Sequence, residues 1–179
     1  MTRAVVLVEG ISDRLALEAL AARRGRDLDA EGISVIAMGG AHAVGGALRS
    51  VEPGVRIAGL CDAGEEDAFR RALEANGVGA AVDRAQLEAL GFYVCDADLE
   101  DELVRAVGCA RVSEIIDAQG ETARFRTFQK QPEKRALSLG AQLHGFMWNR
   151  KIRYAPLLVQ ALDLDRVPRP LDGVLGHLW

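Results

Sequence analysis

The chain has few cysteines, few aromatic side chains and no long apolar run. Cys61, Cys95 and Cys109 are odd in number and share no CxxC or Cys/His ligand spacing, so no zinc site is expected. Cys61 and Cys95 fall inside apolar segments, where a reduced cysteine acts as a small hydrophobe, and the chain reads as cytoplasmic. Phe, Trp and Tyr make up only 5% of the residues, which argues against a stacking platform for single strands. No apolar run approaches the roughly 18 residues of a membrane span, so no membrane association is expected. Met1-Thr2-Arg3 leads directly into an apolar strand, and no signal peptide is expected. A GxxxxGK[ST] loop is also lacking, which excludes a P-loop nucleotide site within these residues.

There is ample apolar material for a core, 49% of 179 residues. That length is most simply one domain with a small extension. The net charge of −4 conceals an asymmetry. Residues 1–110 carry 11 Lys and Arg against 19 Asp and Glu, a balance of −8, whereas residues 111–179 carry 11 against 7, a balance of +4. An acidic front half with a basic tail suits metal ions facing a polyanion, although differently charged solvated helix faces would give the same totals.

Strand-like and helix-like segments alternate up to about residue 108. Ala4 to Val8 reads as a buried strand, followed by an amphipathic helix from Asp13 to Arg24 with Ser12 as N-cap. A second strand, Ile33 to Met38, runs into Gly39-Gly40 and a small-residue helix around His42 to Leu48. A third strand (residues 56–61) leads through Asp62-Ala63-Gly64 to a helix from Glu65 to Asn76. The fourth (residues 92–95) precedes a helix from Leu99 to Val107. Such repeated units imply a parallel sheet with right-handed crossovers. Beyond Gly108 the reading is helical: Val112–Gln119, Thr122–Phe128, Glu133–Leu143, Lys151–Leu162 and a last short turn over Leu171–Leu178, punctuated by Gly120, Pro132 and residues 145–149. The expected organisation is an α/β core over residues 1–110 and a helical extension over 111–179 packed on it.

The acids carry the functional signal. Glu9 follows the first strand, Asp13 lies one helical turn on, Asp62 ends the third strand, and Asp96, Asp98, Glu100 and Asp101 follow the fourth. An open α/β sheet builds its crevice outside the carboxyl ends of its strands, so these side chains converge on one edge. Hard divalent ions take carboxylate and water oxygens, and a two-metal site could activate water and stabilise the leaving oxygen of a phosphodiester. The competing reading is that each acid merely caps the following helix, where Asp is favoured. Glu9 fits that reading poorly, because a cap seldom uses Glu.

At this point the residues resemble a known family. Val8-Glu9-Gly10-Ile11-Ser12-Asp13 is similar to the first motif of Toprim domains, the catalytic fold of topoisomerases, primases and several nucleases. The Val-Glu-Gly-x-Ser-Asp form most resembles the OLD-family (overcoming lysogenisation defect) nucleases. Gly39-Gly40, the Asp98-Leu99-Glu100-Asp101-Glu102-Leu103 segment and Asn149 to Ala155 followed by Val167-Pro168 look like further parts of that pattern. The resemblance implies a Toprim, Rossmann-like open sheet of four mainly parallel strands flanked by helices. It implies a metal-dependent nuclease using one or two Mg²⁺ or Mn²⁺ ions on DNA, with RNA not excluded. Glu9, Asp13, Asp62, Asp98 and Glu100 would hold metal, and Glu9 and Lys151 would be catalytic, Lys151 stabilising transition-state charge. Arg150 and Arg153 would bind phosphate, with Lys134 and Arg135 extending the basic track alongside Lys130.

The chain departs from the family in carrying Asp62-Ala63-Gly64 where Toprim domains usually have Asp-x-Asp, so Glu65, Glu66 or Asp67 would have to fill one metal position. Family members usually join an ATPase domain ahead of this region, so any ATPase partner is expected to be a separate chain. These departures keep a second expectation open, a nucleic-acid-binding or regulatory module with weakened metal chemistry. A receiver-like domain ranks below both, because it wants Asp where Glu9-Gly10 stands. Gly39 to Gly46 lacks a P-loop lysine and reads as a tight turn. His42, His144 and His177 read as isolated structural or exposed side chains, and Trp148 as packed on the helical tail.

Overall fold

The computed structural model describes residues 2–179. Strands β1 (Ala4–Val8), β2 (Ile33–Ala37), β3 (Arg56–Asp62) and β4 (Phe92–Cys95) form one sheet in the order β2-β1-β3-β4, with every pair parallel. Helices α1 (Ile11–Arg23), α2 (Val44–Ser50), α3 (Glu66–Ala75) and α4 (Arg84–Ala89) make the crossovers. After β4 the chain is helical: α5 (Leu99–Val107), α6 (Cys109–Ala118), α7 (Thr122–Gln129), α8 (Leu139–Met147), α9 (Lys151–Ala161) and α10 (Arg169–Leu178).

Helices cover both faces of the sheet, which is why β1 is an unbroken apolar run instead of an alternating one. Its Ala4, Val6 and Val8 face a core shared with Leu17 of α1, Leu103 of α5 and Tyr154 of α9. Val5 and Leu7 face the opposite core, with Leu48 of α2, Phe69 of α3 and Leu87 of α4. Gly59 in β3 is opposite Phe92 of β4, and a Cβ there would lie 2.6 Å from the Phe92 ring. Glycine at that position is therefore what lets β4 seat the fully buried Phe92 ring.

The order reverses between β1 and β3, since β2 lies on one side of β1 and β3 on the other. At such a switch point successive connections diverge to opposite faces and leave a crevice outside the strand ends. Glu9 follows β1 and Asp62 ends β3, so the topology puts them side by side.

Several boundaries differ from the sequence reading. Helix α1 starts at Ile11, with Gly10 and not Ser12 as its N-cap, because Asp13 folds back to accept the Gly10 N–H at 2.8 Å. The helix expected over Glu133–Leu143 instead begins at Leu139, where the Ser138 hydroxyl accepts the Ala141 N–H. That helix runs through Gly145 to Met147, and at Gly145 the Phe128 ring approaches closely, 3.2 Å from where a Cβ would sit. Helix α4, capped by Asp83 on the Gln86 N–H, was missing from the sequence reading. The short turn expected at the end is the helix α10, started by Pro170 in its first turn.

Candidate metal centre

The backbone first fixes Glu9. Gly39 and Gly40, both at positive φ, turn the chain after β2 so that their N–H groups donate to the Glu9 carbonyl at 2.9 and 3.1 Å. The Glu9 Oε1 atom then reaches across the switch point and accepts the Asp62 N–H at 3.1 Å. Asp13 is held against the same loop by its bond to Gly10. Asp62 stands before a short 3₁₀ turn (Ala63–Glu65), yet its carboxylate makes no capping bond. The capping explanation therefore fails for Glu9 and Asp62.

The segment after β4 splits its acids between two tasks. Asp98 does cap α5, accepting the Asp101 N–H at 2.8 Å, and both its oxygens also lie 2.8 and 2.9 Å from Nε2 of His144. Glu100 is buried, with Oε2 at 2.7 Å from the Lys151 Nζ and Oε1 without any hydrogen-bond partner. Lys151 also lies 3.9 Å from Asp98. Asp96, Asp101 and Glu102 turn instead to Arg84 and Arg105.

Electrostatics follow from that packing. Burial pushes the Asp62 carboxyl up to about 8, and the charges of Glu9, Asp13 and Asp98 add to the rise. Burial likewise raises Asp13 to about 6 against its Gly10 bond, with Glu100 and Glu9 reinforcing it. Glu9 is raised mainly by burial, and the negative charge of Glu65 contributes. Asp98 goes the other way: burial raises it, but the His144 hydrogen bond, the Asp101 N–H and Lys151 outweigh burial and lower it. Burial lowers Lys151, yet its bond to Glu100 and the charges of Glu100, Asp98 and Asp62 overcome that and hold it raised.

Clustered, desolvated carboxylates with elevated pKa and an orphaned Glu100 oxygen form a donor set that fits a hard divalent cation. Among the described residues no three acidic, histidine or cysteine side chains are gathered closely enough to enclose an ion alone. Of the substitutes for the second Toprim acid, Glu66 is engaged with Arg70 and Arg84 and Asp67 is exposed, leaving Glu65 as the acid beside Glu9.

The expected basic residues are placed unevenly. Arg150 and Arg153 bracket Lys151, but each also pairs with Glu121, a buried carboxylate that accepts the Tyr154 hydroxyl at 2.6 Å. Arg150 further donates to the Phe146 carbonyl at 2.9 Å and lies over that ring. Lys134 lies over the Phe128 ring and Arg135 donates to the Lys130 carbonyl, and neither pairs with the carboxylates of the centre. Arg124, which joins the Glu121 cluster at 3.2 Å, was not singled out from the sequence. His144 and Trp148 correct the sequence reading: His144 is bound to Asp98, and Trp148 is 57% exposed. No sequence signal links His144 to Asp98, because the pairing depends on how α8 packs beside α5.

The family model for the overcoming lysogenization defect protein-like TOPRIM domain matches residues 1–53. That stretch includes Glu9, Asp13 and the Gly39-Gly40 turn, and stops short of Asp62, Asp98, Glu100 and Lys151. Comparison with curated proteins gives no match. The chain is similar in structure to the C-terminal region of the OLD protein of Xanthomonas campestris pv. campestris, with TM-score 0.74 and 22% identity over 99% of this chain and 92% of that one. It is equally similar to the C-terminal region of the Burkholderia pseudomallei OLD protein, with TM-score 0.74 and 22% identity over 99% of this chain and 97% of that one. The four-stranded parallel sheet and the helices after it thus share the fold of those C-terminal regions.

Proposed function

We propose that this Toprim-fold chain is a metal-dependent phosphodiester hydrolase acting on DNA. The observation that carries the reading is Glu9 bonded to the Asp62 N–H at the switch point of the sheet, with Asp13, Asp98, Glu100 and Lys151 close enough for their charges to act on one another. In this proposal residues 1–110 form the catalytic core and residues 111–179 are the helical part that delivers Lys151, His144 and the arginines to it.

Glu9, Asp13 and Asp62 would hold Mg²⁺ or Mn²⁺ on one side of the crevice, and Asp98 and Glu100 on the other. A bound divalent ion supplies an activated water and charge stabilisation for the leaving oxygen. The chain's own groups do the rest. His144 and the Asp101 N–H keep Asp98 ionised and oriented. Lys151 Nζ, held protonated between Glu100 and Asp98, is positioned to meet charge that develops on a phosphoryl oxygen. Arg153 and Arg124 project cations outward for the backbone phosphates, and Arg150 mainly braces the turn that carries Lys151.

The test is cleavage of supercoiled and linear DNA in Mg²⁺, Mn²⁺, Ca²⁺ or EDTA. Cleavage with Mg²⁺ or Mn²⁺ that EDTA abolishes supports the proposal; no cleavage in any metal counts against it. Two observations favour a second reading, a regulatory or nucleic-acid-binding module that works with a separate ATPase. Gly64 replaces the second acid of the third-strand motif, and the described carboxylates do not close on one point.

A further inference from the structure

The turn that carries Lys151 also presents an apolar face that the proposed chemistry does not use. Trp148 opens the 3₁₀ turn (Trp148–Arg150) between α8 and α9 and is 57% exposed. Ile152, on the first turn of α9, is 57% exposed, and Ile11, the first residue of α1, is 54% exposed. All three line a single open groove of about 640 Å³, together with Ser12, Arg150 and Arg153. Large apolar side chains left exposed as a group mark an interaction surface, whereas scattered ones need no explanation.

Two features say what kind of partner this surface fits. The charged side chains lining the groove are Arg150, Lys151 and Arg153; Lys151 is paired with Glu100 and Arg150 braces Phe146, so Arg153, 54% exposed, is the cation turned outward to meet an anion such as a backbone phosphate. The groove also abuts the carboxylate centre: Ser12 adjoins Asp13, and the Lys151 Nζ lies 4.3 Å from the Trp148 ring centroid while bonding Glu100 at 2.7 Å. The His144 ring meets Trp148 edge-on, with ring centroids 6.3 Å apart, so one edge of the indole rests against α8. A more than half exposed indole beside an outward arginine is an arrangement that stacks a nucleobase while the cation holds a flanking phosphate.

We propose that Trp148, with Ile11 and Ile152, is a stacking subsite for one unpaired nucleobase, so that the substrate is DNA with a frayed, nicked or single-stranded segment at the scissile phosphate. This rests on the nuclease reading for its substrate but not for its test. A base inside an intact duplex shows only its edge and cannot stack here, so the subsite discriminates by strand pairing and not by sequence. The low aromatic content is consistent with a subsite for one base, since a single exposed ring cannot track a strand.

The experiment is equilibrium binding by fluorescence anisotropy of a labelled oligothymidylate and of a blunt duplex of equal length, in Ca²⁺ and again in EDTA. Wild-type protein, Trp148→Ala and Trp148→Phe are compared, with circular dichroism to verify folding. Stacking on an aromatic side chain corresponds to roughly tenfold in affinity or more. Trp148→Ala is expected to weaken oligothymidylate binding about tenfold and duplex binding by much less, and Trp148→Phe to restore most of the loss. Equal loss on both nucleic acids, no loss on either, or no binding by wild type overturns the subsite. So does a change in sedimentation of Trp148→Ala with unchanged oligothymidylate affinity, which would assign the face to a protein partner. Because the readout is binding, metal-dependent cleavage with no Trp148 effect removes only the subsite, and a Trp148 effect without cleavage removes only the nuclease reading.

Discussion

The Lys151 ammonium lies 2.7 Å from Oε2 of Glu100, a carboxylate whose other oxygen is buried with no hydrogen-bond partner. The pair joins the first residue of α9 to the first turn of α5, so the residue expected to assist chemistry also closes the fold around the centre.

Removing the half-buried lysine leaves the buried Glu100 carboxylate desolvated and uncompensated, at a cost of up to about 3 kcal/mol. Lys151→Ala is therefore expected to lower both turnover and the denaturant midpoint, and adding Glu100→Gln to recover much of the stability but not the turnover. Unchanged stability in the single variant, measured by urea unfolding, would show that the pair is not formed in solution.

The raised carboxyls predict an unusual pH dependence for the metal-free protein. A carboxyl whose folded pKa exceeds its unfolded one binds more protons when folded, so stability falls as pH rises between the two values. For Asp62 that window runs from the ordinary 3.8 to about 8, and for Asp13 from 3.8 to about 6. His144 is raised too, chiefly by its hydrogen bond to Asp98, and its contribution is likewise lost with rising pH. Thermal midpoints should fall from mildly acidic to mildly alkaline pH, and both Asp62→Asn and added Mn²⁺ should flatten the decline. Stability that instead rises through pH 6 to about 8 would contradict the clustering.

The arginines around Glu121 should separate by role. Arg153→Ala removes an outward cation and should weaken duplex binding regardless of sequence, reducing the salt slope by about 1. Arg150→Ala should chiefly destabilise, because its guanidinium is spent on the Phe146 carbonyl and ring. A steeper binding loss for Arg150→Ala at unchanged stability would reverse that assignment.

The front of the molecule was legible because its signals are local. A strand buried on both faces must read as an apolar run, and a strand end followed by Glu9-Gly10 places its acid by topology alone. The same logic put Asp62 at the end of β3 and Asp98 and Glu100 at the start of α5, which is where they lie in the fold. What stayed hidden depends on helix packing: the His144 bond to Asp98 spans 46 residues, and the Tyr154 bond to Glu121 spans 33. Neither pairing leaves a periodic trace. The start of α8 was misplaced because Glu133 to Leu137 are good helix formers, whereas the Ser138 cap that sets the boundary acts through one hydrogen bond.

Glu9 tests the central claim most directly, since glutamine keeps an oxygen to accept the Asp62 N–H while removing the charge a metal requires. Supercoiled plasmid should be incubated in Mn²⁺ with wild type and with Glu9→Gln of verified fold. The account predicts cleavage by wild type and, in the variant, a loss no smaller than the roughly 10- to 100-fold that removing even an outer-shell partner of a metal ligand costs. A folded Glu9→Gln that cleaves at the wild-type rate would contradict the account.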